Sequence, residues 1–398
     1  MRIHFLSGSI NRVVKDPGVL SEFVRQRASQ VTWRASIHHQ ALRIELMSQV
    51  WQDIPWMHEV TVTLPENTTR DTALLMITGG DPNEVDLAVE AELSRLTEMP
   101  VGTLYHIPNQ PLLEGRYEDD LIAETIEEAL RTGDPTWLLL MPMAASVVSA
   151  MDAIQEATDG QISRFVVTGH SKRGWTAWLS AATGDPRIVG IAPQVFDNLN
   201  FPRQMEHQRL SWGEYSGKIA DYTSRDLPDR AAQEAELQAL SDLIDPYSYL
   251  PLINIPVLIV NGANDPYWAV DALSLYFHDI RGPKAACVIS NAGHDVVTHP
   301  DGLAAVAAFA RSCARDFEFP NLHFSLTGDA FSIKASSPDC EPLDHFKWFA
   351  ASDTKVFHES AWQATPANGA FVATFEGVRF SPPVGPEFTL TTYARLLG

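Results

Sequence analysis

The stretch VVTGHSKRGW (residues 166–175) decides how the rest of the sequence is interpreted. An apolar run of strand character passes directly into Gly-His-Ser-Lys-Arg-Gly, and a helical pattern follows. Glycines on both sides of a serine are typical of a nucleophile elbow, a strained strand-to-helix turn that exposes the serine hydroxyl. Arg173 stands where the usual Gly-x-Ser-x-Gly pattern has its last glycine, and Gly174 follows it. The stretch predicts a nucleophile at Ser171, with a serine that merely caps the helix as the alternative.

Around this stretch, apolar runs alternate with helical patterns from residue 41 to residue 315. This βαβ alternation predicts a mostly parallel sheet with helices on both faces, as in the α/β-hydrolase fold. The first two of eight predicted strands are expected to be antiparallel. The predicted strands are 41–51, 57–65, 72–80, 101–108, 163–170, 188–196, 255–262 and 284–290. The predicted helices include 85–99, 119–131, 134–157, 269–278 and 301–315.

Two regions depart from the alternation. Residues 201–250 are polar, aromatic and partly helical, which predicts a helical cap inserted over a pocket. After residue 320 the sequence consists of short alternating segments separated by Gly, Pro and Asp, which predict a small all-β sandwich. We therefore expect an α/β-hydrolase domain at 1–319 and a β-sandwich domain at 320–398.

The order of polar residues along the chain points to an acid and a base. Asp265 follows the end of one predicted strand, and His294 follows the end of the next. Sites in parallel sheets gather at the carboxyl ends of strands, and α/β-hydrolases order their residues as Ser, Asp, His. Ser171, Asp265 and His294 thus form a predicted triad. His299 is an alternative base, and Asp197 an alternative acid.

The same fold logic predicts the surroundings of the nucleophile. The oxyanion would be held by the backbone N–H of Lys172 and by a second donor at Gly80 or Asp81, in the loop after the strand TALLMITGG. Cations at Lys172 and Arg173 oppose the helix dipole, so a carboxylate partner is expected for at least one of them: an Asp or Glu of this acidic chain or, alternatively, an anionic group of the substrate. The candidate residues for the substrate pocket are His170, Trp212, Tyr215 and Tyr267.

Composition limits the classes of partner. The 398-residue chain has a formal net charge of −21, which disfavours nucleic acid and anionic membranes. The longest apolar run, 137–151, is too short for a membrane span. The sequence contains no metal-binding or dinucleotide motif, so we expect no metal and no cofactor. No signal peptide precedes the first strand, which predicts a cytoplasmic location, or an exported one if a leader was removed.

Several stretches resemble the family of PhoPQ-activated pathogenicity-related proteins. They are LMSQVW, WMHEVTVTLPE, IPNQPL, RTGDPTWLLLMPM, SAMDAIQ, TGHSKRGWTAWLSAATGDPRIVGIAP, DLIDPYSYL, GPKAACVISNAGHD and a late WFAASDTKVF. The resemblance implies an α/β-hydrolase fold with a C-terminal β extension, a Ser-Lys-Arg-Gly elbow and a triad at Ser171, Asp265 and His294. It also implies frequent export, and His170 replaces a residue that is more often small.

Three functions are consistent with these patterns. The first is hydrolysis of an ester or amide of small or medium acyl size through an acyl-enzyme on Ser171. The second is trimming of peptides, in which Glu206 and Glu214 of the cap would bind a terminal amine. The third is a secreted or regulatory protein that binds without catalysis. The sequence does not determine the oligomeric state.

Overall fold

The structure is a computed structural model of the chain and describes residues 18–38, 41–66, 70–327, 330–364, 371–392 and 394–397. The N-terminal stretch on which the prediction about a leader rests lies largely outside these residues. Within them, none of the helices is long and apolar enough to cross a membrane. The location of the protein stays a prediction.

A central sheet of nine strands runs from the N-terminal side of the chain to residue 289. Its strands are β1 (Thr32–His38), β2 (Ala41–Trp51), β3 (Ile54–Thr63), β4 (Thr72–Ile77), β5 (Val101–Leu104), β6 (Arg164–His170), β7 (Ile188–Gln194), β8 (Val257–Gly262) and β9 (Lys284–Ile289). They lie in the order β1-β2-β3-β5-β4-β6-β7-β8-β9. Pairing is antiparallel as far as β5 and parallel from β5 to β9. The eight predicted strands are therefore confirmed, and β1 is an additional edge strand.

Ten helices accompany the sheet in the described part of the chain. They are α1 (Gly18–Arg27), α2 (Glu84–Thr97), α3 (Glu118–Thr132), α4 (Leu140–Ala157), α5 (Lys172–Ala182), α6 (Phe201–Trp212), α7 (Ala220–Thr223), α8 (Leu227–Ala231), α9 (Ala235–Ile244) and α10 (Pro300–Cys313). Alternate strand residues enter two different cores: Leu75 joins the core that includes α4 and α5, whereas Leu74 joins the core that includes α2 and α10. The sheet thus has helices on both faces, as predicted.

Two predicted helices differ from the structure. The helix expected from 134 begins only at Leu140, because a proline inside a helix removes a hydrogen bond and clashes with the preceding turn, and this start leaves Pro142 in the first turn. Asp134 caps a short 3₁₀ turn instead. The helix expected at 269–278 is replaced by two 3₁₀ turns, separated at the buried Tyr276, whose backbone angles of φ −147° and ψ −17° are not helical.

The C-terminal strands extend the central sheet. They are β10 (Asn321–Thr327), β11 (Ala330–Ser336), β12 (Glu341–Ser352), β13 (Phe371–Ser381), β14 (Phe388–Thr391) and β15 (Arg395–Leu397). β14 pairs antiparallel with β9 through Thr391 and Ala286, and the sheet continues through β13 to β12. β10 and β11 form a separate hairpin. The all-β character after residue 320 is confirmed, and the division into domains at 319 and 320 stays a prediction.

Candidate active site

Ser171 occupies a strained turn between β6 and α5. Its backbone angles are φ 57° and ψ −123°, a conformation that non-glycine residues rarely adopt. Two close backbone contacts explain the glycines beside it. A Cβ on Gly169 would lie 2.5 Å from the carbonyl oxygen of Arg173, and one on Gly174 would lie 2.9 Å from that of Gln194. Gly174 therefore provides the close approach to the neighbouring strand, and Arg173 is free to carry a side chain.

The two cations of the elbow are both paired with carboxylates, as the sequence predicted. The guanidinium of Arg173 donates two hydrogen bonds of 2.7 Å to Glu118, and the ammonium of Lys172 lies 2.8 Å from Asp119. Burial opposes ionisation of Glu118, but the hydrogen bonds with Arg173 and the positive charges of Arg173 and Lys172 together outweigh this effect and lower its pKa to about 2. Burial likewise opposes the charge on Lys172, and attraction to Asp119 raises its pKa. These pairs tie the elbow to the start of α3.

Three predicted side chains meet beyond the ends of β6, β8 and β9. His294 Nε2 lies 2.9 Å from the hydroxyl oxygen of Ser171, and His294 Nδ1 lies 2.8 Å from Oδ2 of Asp265. The other carboxylate oxygen of Asp265 accepts a hydrogen bond of 2.9 Å from the backbone N–H of Tyr267. The ring of Tyr267 stacks on the imidazole of His294 at a centroid distance of 4.1 Å. The imidazole is therefore held at both nitrogens and on one face.

The loops that carry Asp265 and His294 also contact each other directly. The N–H of Asn264 donates to the carbonyl of Ala292 at 2.9 Å. A Cβ on Gly262 would lie only 2.0 Å from the carbonyl oxygen of Gly293, so the loops approach as closely as a glycine allows. We call residues 262–265 the acid loop and residues 290–294 the base loop.

His170 supports the base loop. Its Nε2 donates to the carbonyl oxygen of His294 at 2.6 Å, and the two rings meet edge to face at 5.0 Å. Burial and the neighbouring His294 lower the pKa of His170 to about 4, so this ring is neutral at pH 7. His170 is not among the residues that line the cavity described below, which differs from its predicted place in the substrate pocket.

The alternative acid and base have other partners. The buried carboxyl of Asp197 accepts a hydrogen bond of 2.7 Å from the hydroxyl of Tyr276. Burial raises the pKa of Asp197 to about 7, and the nearby charge of Asp265 adds to the effect. His299 caps α10, where its Nδ1 accepts a hydrogen bond from the N–H of Asp301 at 3.2 Å.

The predicted oxyanion donors lie near the elbow along the sheet. Lys172 is the first residue of α5, where backbone N–H groups have no partner within the helix. Gly80 and Asp81 follow β4, whose last residue pairs in register with Gly169 of β6. The carboxylate of Asp81 is 91% exposed and lies 3.6 Å from Nε2 of His106. The roles of these backbone groups stay predictions.

A cavity of about 480 Å³ adjoins Ser171. The helices α6, α8 and α9 and the segment around α7, all within the predicted cap, form most of its wall. The wall is chiefly apolar, with carboxylates at intervals. Tyr215 and Tyr267 belong to this wall, whereas Trp212 packs against His358 of the C-terminal region. The lining includes Trp175, Phe196, Phe201, Met205, Ile219, Tyr222, Leu227, Ala231, Ile244 and Trp268, together with the acidic residues Asp119, Glu206, Asp229, Asp242 and Asp245 and the cations Lys172 and Arg209.

Two asparagines beside the triad received no role from the sequence. Asn264 and Asn291 stand in the acid loop and the base loop, and both bond to the C-terminal region. The only signal in the sequence was that Asn264 directly precedes Asp265 and that Asn291 lies three positions before His294. Among the residues that the structure describes, no group of three or more His, Cys, Asp or Glu side chains is arranged to hold a metal.

Two solved structures that share this fold are named as esterases. The acetyl xylan esterase from Paenibacillus sp. R4 superposes with a TM-score of 0.54 and 14% identity, over 75% of this chain and 94% of that one. Acetyl Xylan Esterase 1 from Thermoanaerobacterium sp. JW/SL YS485 gives a TM-score of 0.53 and 15% identity, over 76% and 98%. These similarities confirm the predicted α/β-hydrolase fold.

Sequence relatives identify the family. Autocrine proliferation repressor protein A from Dictyostelium discoideum is 33% identical over 309 residues, which are 71% of this chain and 62% of that protein. The chain thus spans less than two thirds of this relative's length. The family described as PhoPQ-activated pathogenicity-related protein matches residues 20–357. The chain therefore belongs to the family of PhoPQ-activated pathogenicity-related proteins.

Proposed function

We propose that this protein is a serine hydrolase that cleaves a carboxylic ester or amide through an acyl-enzyme on Ser171. The observation that carries the proposal is the continuous chain of hydrogen-bond distances from the hydroxyl of Ser171 through His294 to Asp265, at the strained elbow. A serine hydroxyl becomes a useful nucleophile when an adjacent base removes its proton, and a third group holds that base in place.

In the first half of the reaction, Ser171 Oγ attacks the carbonyl carbon while its proton passes to Nε2 of His294. The carboxylate of Asp265 accepts a hydrogen bond from the Nδ1–H group of His294, which fixes the tautomer and stabilises the imidazolium without transfer of that proton. The negative charge on the substrate oxygen is held by backbone N–H groups at Lys172 and at Gly80 or Asp81. The imidazolium then protonates the leaving alcohol or amine, and the acyl group remains on Ser171.

In the second half, water enters in place of the leaving group. His294 removes a proton from the water, and the resulting hydroxide attacks the acyl carbon. Collapse of the second tetrahedral intermediate releases the carboxylic acid and returns the proton to Ser171. The same three side chains therefore serve both steps, and both rates depend on the alignment of His294.

The cavity favours an uncharged, apolar acyl group of medium size. Its wall is chiefly aromatic and aliphatic, and its five acidic side chains outnumber its two cations, Lys172 and Arg209, so the wall disfavours an anion. A peptidase that binds a terminal amine through both Glu206 and Glu214 is less well supported, because Glu206 lines the cavity and Glu214 does not. A second candidate function, regulatory binding without catalysis, is favoured by the name of the Dictyostelium relative, which describes that protein as an autocrine repressor.

A fluorophosphonate probe tests catalysis directly. We expect the wild type to be labelled on Ser171 and Ser171→Ala to be unlabelled, while Ser248→Ala, which changes an exposed serine, is labelled like the wild type. Absence of label on the folded wild type would favour the binding function.

A panel of p-nitrophenyl esters and aminoacyl p-nitroanilides then tests the substrate class. The hexanoate ester is compared with the adipate monoester, which differs by a terminal carboxylate. We expect the hexanoate to have a kcat/KM about 10-fold higher or more, because the negative wall repels the added charge. Equal rates for the two esters would contradict the proposed substrate class, and faster cleavage of the anilides would indicate a peptidase.

A further inference from the structure

A segment of the C-terminal region lies against both loops of the triad. Residues 353–364, which we call the brace segment, leave β12 and fold back along it before β13 begins. Two hydrogen bonds of 2.8 and 2.9 Å between the backbones of Phe349 and Gln363 hold the end of this segment against β12. The segment therefore has a defined path across the end of the sheet.

The brace segment binds the acid loop through Asn264. The side-chain amide nitrogen of Asn264 lies 2.7 Å from the carbonyl oxygen of Ser360, 3.2 Å from that of His358 and 3.4 Å from that of Phe357. One amide thus satisfies a cluster of backbone carbonyls with its two hydrogens. Asn264 directly precedes Asp265, so these hydrogen bonds restrain the backbone next to Asp265.

The same segment binds the base loop through Asn291. The side chain of Asn291 donates to the carbonyl oxygen of Trp362 at 3.2 Å and accepts from the N–H of Trp362 at 2.8 Å. This reciprocal pair imitates one step of a β-ladder. The backbone of Asn291 is left-handed, with φ 59°, a conformation that asparagine tolerates better than most residues. Asn291 lies three positions before His294 in the chain.

Apolar packing anchors the brace segment beneath these bonds. Phe357 and Trp362 are almost fully buried, and they pack with Phe375 of β13 and with Ala263 of the acid loop. A third contact reaches the cap, because the indole nitrogen of Trp212 lies 3.3 Å from the carbonyl oxygen of Lys355. The segment is therefore held by the C-terminal strands and touches three separate parts of the site's surroundings.

None of the residues of the brace segment is among those that line the cavity. Its hydrogen bonds are instead made to the side chains of Asn264 and Asn291, in the loops that carry Asp265 and His294. We propose that the brace segment positions the acid and base loops, with Asn264 and Asn291 as positioning residues, so that His294 stays aligned between Ser171 and Asp265. This inference rests on the proposed hydrolase function. On this proposal the C-terminal region affects the rate of the chemical steps and does not affect substrate binding.

The test uses the full-length variants Asn264→Ala and Asn291→Gly, singly and together. Glycine accepts the left-handed backbone at 291, so this change removes the amide without adding strain. The matched control is Asn109→Ala, because Asn109 also exchanges two hydrogen bonds with a backbone, that of Met57, at 3.0 and 3.1 Å. For each variant, kcat and KM for p-nitrophenyl hexanoate, the rate of fluorophosphonate labelling and the unfolding temperature are measured.

We expect the double variant to lose about 10- to 100-fold in kcat and in labelling rate, because small displacements of reacting groups have effects of this size. KM should change by less than about threefold, since the cavity keeps its lining. Asn109→Ala should lower the unfolding temperature about as much as either single variant does. It should nevertheless leave kcat within about twofold of the wild type. Asn291→Asp, which keeps an acceptor for the N–H of Trp362, should recover part of the rate lost in Asn291→Gly.

Two outcomes would overturn the inference. The first is a double variant that folds and keeps kcat within about twofold of the wild type. The second is an equal loss of kcat in Asn109→Ala and in the double variant. That result would show that loss of stability alone lowers kcat. If the double variant does not fold, the same kinetic criteria are applied to Asn264→Ala and to Asn291→Gly separately. Failure of the proposed function is distinguishable, because the wild type itself would then resist labelling.

Discussion

The cap and the brace segment are two additions to one sheet, and they contact different parts of the same site. The cap, residues 201–250, surrounds the cavity with apolar side chains. The brace segment contributes no residue to the cavity wall, and its backbone bonds to the side chains of Asn264 and Asn291, near Asp265 and His294. The difference suggests that substrate choice and alignment of the reacting groups depend on separate pieces of chain. Variants of the two regions should therefore differ in which kinetic constant they change.

The largest expected effect comes from the contact between the acid and base loops. In Gly262→Ala, the added methyl group would lie 2.0 Å from the carbonyl oxygen of Gly293, so the base loop has to move. We expect kcat for p-nitrophenyl hexanoate to fall by about 100-fold or more, because His294 moves with its loop. Overpacking of this kind also costs about 1–3 kcal/mol of unfolding free energy, which chemical denaturation would measure.

Gly217→Ala is the matched control in the cap. A Cβ at Gly217 meets no atom within 4 Å, so the same chemical change introduces no clash. This variant should keep the kcat and KM of the wild type. Wild-type activity in Gly262→Ala would show that the close approach of the two loops does not govern alignment.

A smaller effect is expected from filling the cavity. Ala231 ends α8 and lines the cavity, so Ala231→Phe should occupy space that a long acyl chain needs. KM for p-nitrophenyl octanoate should rise by about 10-fold, while KM for the acetate and kcat for both esters change little. Steady-state kinetics on the two esters provide the measurement. A fall in kcat at constant KM in Ala231→Phe would contradict the proposed division between the cap and the brace segment. It would mean that the cap also aligns the reacting groups.

The smallest effect on catalysis is expected from Asp197, which follows β7 and lies outside both the cap and the brace segment. Its carboxyl has an ordinary pKa of 3.8, raised to about 7 in the folded protein. Between these values the folded protein holds a proton that the unfolded chain has released, so this group makes the protein less stable as pH rises. Asp197→Asn should remove that slope and leave kcat within about twofold of the wild type.

Unfolding free energies at several pH values between 4 and 7 would test the change in slope. The Tyr276 hydroxyl that donates to Asp197 can also donate to the asparagine oxygen, so the variant keeps its buried hydrogen bond. A loss of kcat as large as that of the brace variants would mean that Asp197 also aligns the acid loop. An unchanged slope would mean that Asp197 is ionised in the folded protein.

Sequence alone could predict where the candidate triad lies because the fold makes the geometry regular. Ser171, Asp265 and His294 each follow an apolar run, and the carboxyl ends of parallel strands share one edge of the sheet. Their proximity follows from the strand order, and their chemical roles stay predictions. A carboxylate partner for Lys172 or Arg173 was likewise expected, because cations in the first turn oppose the helix dipole, and the acidic start of α3 supplies it.

Contacts between side chains and distant backbones could not be predicted in this way. Asn264 bonds to carbonyl groups that follow it by 93 to 96 positions, and every residue type carries a carbonyl group. No residue pattern marks such an acceptor. The break in the helix expected at 269–278 is a similar case, because it depends on the burial of Tyr276 beside Asp197. The hydrophobic pattern of a segment indicates its helix or strand period. Tertiary contacts of this kind do not alter that pattern, so the sequence does not reveal them.

The pairing of β14 with β9 has a consequence during synthesis. Thr391 and Ala286, which meet in this pair, are 105 residues apart in the chain. At typical elongation rates, a ribosome needs on the order of 10 s to add that length. The open edge of β9 on the nascent chain therefore needs shielding for that time, by a chaperone or by the ribosome, before the protein's own strand covers it.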